Sequence, residues 1–119
     1  MDISSPADFH VHLRQGSFSE LIVPHVRRGG FHLAYVMASV ELPVNDRRYS
    51  SQDQPNLKPP ITTTDQALKY KAELERIDPS TEYLMTLYLS PDLTPGEVRK
   101  AKAAGIAGIC ARHLAIFFH

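Results

Sequence analysis

Two histidines one residue apart, His10 and His12, lie in the stretch "DFHVHLR" of residues 8–14, which closes on Arg14. The alternating apolar pattern at Phe9, Val11 and Leu13 predicts a β-strand, and side chains two apart on a strand leave from the same face. The imidazoles then share one space, and Phe9, Val11 and Leu13 take the other face. Paired neutral nitrogens at a strand end suit a divalent transition metal such as zinc, which binds imidazole at about 2.0–2.1 Å. Two ligands are half of a tetrahedral site. A strand with a polar, solvated face is the competing reading of the same residues.

The whole chain must position that pair. Its 119 residues, 43% of them hydrophobic, suit one domain with a packed core. Lysine plus arginine equal aspartate plus glutamate at 13 each, so no broad electrostatic field favours nucleic acid or an anionic membrane. Small-molecule chemistry is the expectation. Cys110 is the only cysteine, which rules out an internal disulfide and reads as a small buried apolar residue. No basic leader with an apolar run precedes the first strand, and no apolar stretch approaches the ~20 residues of a membrane helix. A cytoplasmic protein is expected.

Strands and helices alternate along the chain. "SFSELIVPHVRRGG" (17–30) reads as a helix with Ser17 or Ser19 as N-cap, Leu21, Ile22 and Val26 facing inward, a possible irregularity at Pro24 and a Gly29-Gly30 stop. "FHLAYVM" (31–37) is apolar enough for a strand buried on both faces. "TTTDQALKYKAELERI" (62–77) is a helix with threonine caps and an inward stripe of Ala67, Leu68, Ala72, Leu74 and Ile77. "EYLMTLYLS" gives a third strand, "TPGEVRKAKAAG" a third helix capped by Thr94 with Pro95 in its first turn, and "IAGICA" a fourth strand. This alternation implies parallel strands joined by right-handed crossovers, in an open doubly wound sheet or a (β/α)8 barrel. Neither G-x-G-x-x-G nor G-x-x-x-x-G-K-[ST] occurs, which favours the barrel. A complete barrel takes about 250 residues, so three βα units and a fourth strand are expected to be an incomplete α/β barrel. The inner sheet face and the last strand edge should then lack cover.

One segment breaks the rhythm. Residues 38–54, "ASVELPVNDRRYSSQDQ", are polar and aperiodic, and long for a βα connection, which takes about 2–6 residues. A surface excursion and an active-site lid are both consistent with it.

"DFHVHLR" (8–14), "IVPHV" (22–26), "YVM" (35–37), "PNLKPPITTTDQALKY" (55–70) and "YLMTLYLSPDLTPGEV" (83–98) follow one another in the order of a known family. Together they resemble the N-terminal part of dihydroorotase, the single-function bacterial and fungal type of the amidohydrolase superfamily. The resemblance covers most of residues 6–109. It implies a metal-dependent (β/α)8 TIM barrel and a zinc-dependent hydrolase that interconverts N-carbamoyl-L-aspartate and dihydroorotate in pyrimidine biosynthesis. It carries metal binding onto His10 and His12, and binding of the substrate carboxylate onto Arg14 and Asn56. Alone, Arg14 and Asn56 would read as a surface charge and a turn residue beside Pro55. The chemistry agrees, because a guanidinium grips a carboxylate through two parallel hydrogen bonds and an amide donates one more. The complete family site holds two Zn2+, bridged by a carboxylated lysine, with further histidines and a proton-shuttling aspartate on later strands. A homodimer acting on a small molecule, without nucleic acid or membrane, is the implied assembly.

Two departures stand out. Cys110 falls where the bridging lysine is expected, and residues 110–119 diverge, so no catalytic residue is assigned. His25, His32, His113 and His119 match no ligand position. Removing 38–54 would join "YVM" to "PNLKPP", as the family reads, so that segment is expected to be a non-family insertion or a genuine loop. The chain as given is expected to be a truncated, inactive dihydroorotase-like fragment. The alternatives are a non-catalytic chain or isoform that acts by association with another chain, and a mis-spliced product. A transcript uninterrupted across both junctions would dismiss the splicing explanation.

Overall fold

The computed structural model describes residues 6–38, 60–111 and 114–117. Five strands form one sheet in the order β1 (Ala7–Val11), β2 (Leu33–Val36), β3 (Glu82–Tyr88), β4 (Gly108–Ala111) and β5 (Leu114–Phe117). The first four are parallel, and helices α1 (Ser17–Arg28), α2 (Thr64–Ile77) and α3 (Pro95–Ala103) connect them in turn. Three βα units and a fourth strand of an α/β barrel-type sheet are therefore present, as expected. The segment 39–59, with Asn56 and nearly all of the anomalous 38–54 stretch, lies outside the described residues, as do His113 and His119.

The fourth edge differs from expectation. β5 pairs antiparallel with β4, from Gly108 against Phe117 to Ala111 against Leu114. A hairpin so short can only return antiparallel, and it satisfies backbone groups that an unpaired last strand would leave open. The inner face is also better covered than an incomplete barrel implies. Tyr35, Thr86 and Cys110 are fully buried.

Burial on the helices follows their 3.6-residue repeat. Val23 and Val26 of α1 are buried, with Ser19 in line one turn earlier, whereas Leu21 is 65% exposed. Two residues from Ser19 and from Val23, Leu21 sits about 200° around the helix from either, so the inward set is Val23 and Val26 with Ile22 at its margin. Neither Ser17 nor Ser19 caps α1. Gly16 does, at φ 64, a conformation glycine adopts freely, while the Ser19 hydroxyl donates back to the Gly16 carbonyl at 2.7 Å. The helix runs through Pro24 to Arg28. In α2 the buried stripe is Ala67, Tyr70 and Leu74, with Ile77 partly buried; Leu68 and Ala72 face solvent.

Helix ends are closed by side chains. Thr63 accepts from the Gln66 amide at 3.3 Å, and the Gln66 side chain accepts from the Thr63 amide at 3.3 Å. Across the helix layer, Glu97 accepts from the Thr64 amide at 2.6 Å and Lys100 meets Asp65 at 2.9 Å. Thr94 caps α3 and Pro95 opens it, as the sequence predicts. At the far end of α2, Asp78 accepts from the Ser80 amide and hydroxyl and from the Thr81 hydroxyl. Burial raises the Asp78 pKa, but the Ser80 and Thr81 hydrogen bonds outweigh it and hold it below the usual value. Among the described residues no helix is long and apolar enough to cross a membrane.

Two outcomes are expected. Thr63→Ala should lower stability by about 1 kcal/mol in urea titration, because one capping bond is lost and the reciprocal one loosens. Asp78 has a depressed pKa in the folded chain, so its contribution is present above the unfolded carboxylate pKa and fades as pH falls through the folded value. Asp78→Ala should therefore be less stable than the parent at neutral pH, and the two midpoints should converge in acid.

Candidate functional site

Parallel strands bring their C-terminal ends to one edge of the sheet, and that edge is where α/β folds place ligands. His10 is the penultimate residue of β1, while His12 and Arg14 follow in the connection to α1. The two imidazole centroids are 5.3 Å apart and the rings meet edge to face at 65°. His10 is exposed and His12 half-buried.

A β-bulge decides which way they face. Asp8 pairs with Ala34, but Val11 pairs with Val36, so three steps along β1 match two along β2. The register turns Val11 toward the face of Ala34, Val36, Tyr83 and Met85. That face carries the helices, since the Tyr83 hydroxyl donates to the Asp78 carbonyl at the end of α2 at 3.0 Å. His10 and His12 are left on the opposite face, the side of Tyr35, Thr86 and Cys110. Val11 and Leu13 pack inward as the alternation predicts, with Leu13 1% exposed. Phe9, on the other side of the irregularity, is 62% exposed rather than packed.

The inner face near this edge is held by one hydroxyl. Thr86 Oγ1 donates to the Val36 carbonyl at 2.8 Å and accepts from the Ala38 amide at 3.0 Å, and the Cys110 sulfur lies 3.6 Å away. Strands β2, β3 and β4 meet at that atom. Burial raises the Tyr35 pKa, with the nearby Cys110 adding to it. Cys110 is the packed residue its type suggests. It does not join the histidines, because no group of three or more His, Cys, Asp or Glu among the described residues is placed to hold a metal. Among the described residues His10 and His12 therefore stand as two imidazoles with no third ligand beside them, fewer than the four donors of a structural zinc site.

Arg14 is exposed and is the one non-glycine residue with a positive φ among those described, at 58°. Its carbonyl accepts a hydrogen bond from the Tyr70 hydroxyl of α2. Tyr70 and Thr86 are the residues that motif reading passes over. The available signal for Tyr70 is its place between Ala67 and Leu74 on the inward stripe, since a buried phenol requires a polar partner.

Thr86→Val keeps the shape but leaves the Ala38 amide, in a 4% exposed residue, without its acceptor. A loss of about 1–3 kcal/mol in chemical unfolding is expected, larger than for the isosteric change at an exposed threonine.

Comparison with protein-family profiles finds no match. Individual relatives do match. The chain is 50% identical over 107 residues to dihydroorotase from Mycosarcoma maydis, covering 90% of this chain and 23% of that protein. It is 44% identical over 109 residues to a probable dihydroorotase from Schizosaccharomyces pombe, covering 92% of this chain and 27% of the relative. The crystal structure of Saccharomyces cerevisiae dihydroorotase in complex with 5-fluoroorotic acid superposes with a TM-score of 0.69 at 36% identity, over 87% of this chain and 24% of the other. Campylobacter jejuni dihydroorotase superposes with a TM-score of 0.67 at 26% identity, over 90% of this chain and 27% of the other. The chain spans about a quarter of the length of the relatives it matches. Sequence and fold agree in likening this chain to about a quarter of a dihydroorotase.

Proposed function

We propose that this chain carries the first-strand part of a dihydroorotase site: His10 and His12 as zinc ligands, and Arg14, with Asn56, as the grip on a substrate carboxylate. The observation that carries the reading is the imidazole pair, 5.3 Å between centroids, at the C-terminal edge of a parallel sheet with Arg14 two residues on. The reaction class is reversible hydrolysis of the cyclic amide of dihydroorotate to N-carbamoyl-L-aspartate, in the cytoplasm. A zinc pair, when bound, supplies Lewis acidity toward the scissile amide.

What this chain's own residues do is narrower. The bulge turns the imidazoles away from the helix layer and leaves His10 open to solvent, where a cation can reach it. Arg14 offers a fork of donors that matches a carboxylate in two parallel hydrogen bonds. Neither group moves a proton. Residues 38–54 and 110–119 stay outside this machinery, and Cys110 stands where the family places its bridging lysine. The balanced charge of the chain fits a small anionic substrate held by one local cation better than a polyanion.

Zinc titration followed by imidazole NMR should shift His10 and His12 together and weakly, and His10→Ala should remove the shared response. Dihydroorotate absorbance should show no turnover by the 119-residue chain with added zinc. A titration that leaves both imidazoles unmoved would sink the ligand assignment. Turnover abolished by His10→Ala would show that the site is more complete than two ligands.

A further inference from the structure

Arg14 is where the backbone does something costly. An L-residue at φ 58 places its Cβ against the following carbonyl, and the penalty is about 1–2 kcal/mol outside glycine. Such a conformation persists only where the surroundings hold it. Three constraints converge on this residue. Leu13 before it is buried in the core, which fixes the entry of the connection. Gly16 after it, also at positive φ, fixes the exit into α1. Tyr70 reaches from the middle of α2 and donates its hydroxyl to the Arg14 carbonyl.

The tyrosine is suited to this task. It is 7% exposed, between Ala67 and Leu74 on the buried stripe of its helix, so its ring has little freedom. Burial, reinforced by Glu73, raises its pKa far above the usual phenol value, so the hydroxyl remains a donor across the working range. The bond spans 56 positions in sequence and joins α2 to the first strand's exit.

From this geometry we propose that Tyr70 is a positioning residue: it holds Arg14 in the left-handed conformation and thereby sets where the guanidinium meets a substrate carboxylate. The inference rests on the assignment of Arg14 made above. With φ fixed, the Cα–Cβ direction of Arg14 is fixed, and with it the region the guanidinium can reach. Without the hydroxyl, residue 14 can relax to negative φ, which redirects Cβ and misplaces the fork. A conserved charge at position 14 would then no longer suffice for binding.

The test uses the full 119-residue chain and Tyr70→Phe, which removes one oxygen and leaves the packing. A strong intraresidue amide–Hα cross-peak at Arg14 reports positive φ, and dihydroorotate titration reports binding. In the parent the cross-peak should be strong and the Tyr70 hydroxyl should exchange slowly enough to be seen. In Tyr70→Phe the cross-peak should collapse, and dihydroorotate should bind several-fold more weakly, approaching Arg14→Ala. A purely structural role would lower stability and leave the cross-peak of the folded variant intact, and that result overturns the proposal. Should Tyr70→Phe fail to fold, the parent alone decides: a weak cross-peak or a rapidly exchanging hydroxyl overturns the proposal, and the opposite pair supports it. A parent that shows the cross-peak, loses it on Tyr70→Phe, and ignores dihydroorotate supports the hold of Tyr70 on Arg14 and overturns instead the substrate assignment of Arg14.

Discussion

Parallel pairing is the constraint from which the rest of this molecule follows. Parallel neighbours cannot be joined by a tight turn, so each of β1, β2 and β3 must be followed by a return across the sheet. Right-handed crossovers put those returns on one face. One face of the sheet becomes a helix-covered core built on Tyr83, Met85, Leu87, Val23, Ala67 and Leu74. The other face carries no helix of the three, and the exits of β1, β2, β3 and β4 lie along one edge. His10, His12 and Arg14 are neighbours of that edge because of the pairing, before any side-chain detail is considered.

Within that frame, two polar contacts do what apolar packing cannot. Thr86 ties the exits of β2 and β3 through a single hydroxyl that both donates and accepts. Tyr70 ties α2 to the exit of β1. Both are buried, and a buried hydroxyl with partners fixes direction as well as distance. Apolar contacts between the same elements would hold them together without choosing a backbone angle. The edge of the sheet is consequently stitched by groups whose geometry is specific, and the helix layer adds the Glu97–Thr64 and Lys100–Asp65 contacts to its close packing.

Element order, parallel topology and the dihydroorotase resemblance were legible in the sequence because they depend on patterns longer than a turn. The capping of α2 and α3 was legible too, since Thr63, Gln66, Thr94 and Pro95 act within four residues of one another. The misassigned positions share a cause. Leu21, Leu68 and Ala72 are apolar or small, but whether such a residue faces inward is set by the angular phase of the helix, and a stripe tolerates an error of one position when read from composition. The cap of α1 is a backbone matter, decided by the positive φ of Gly16 rather than by the nearby serines. The added strand β5 was not legible, because its four residues acquire a partner only by folding back on β4. Tyr70 meets Arg14 across 56 positions, a distance over which no local pattern can speak.

The bulge between Asp8 and Val11 has a consequence for how this strand can vary. Side chains alternate with a period of two, so gaining or losing one residue in a strand exchanges its two faces. At β1 the extra residue is what puts Val11 in register with Val36 and the imidazoles on the opposite side. Point substitutions at Phe9, which is largely exposed, leave that register alone. Deletion of a single residue there would send both histidines into the helix layer and Val11 out of it. The first strand is therefore free to change in letters and fixed in length, so among relatives it should align without gaps even where its residues differ.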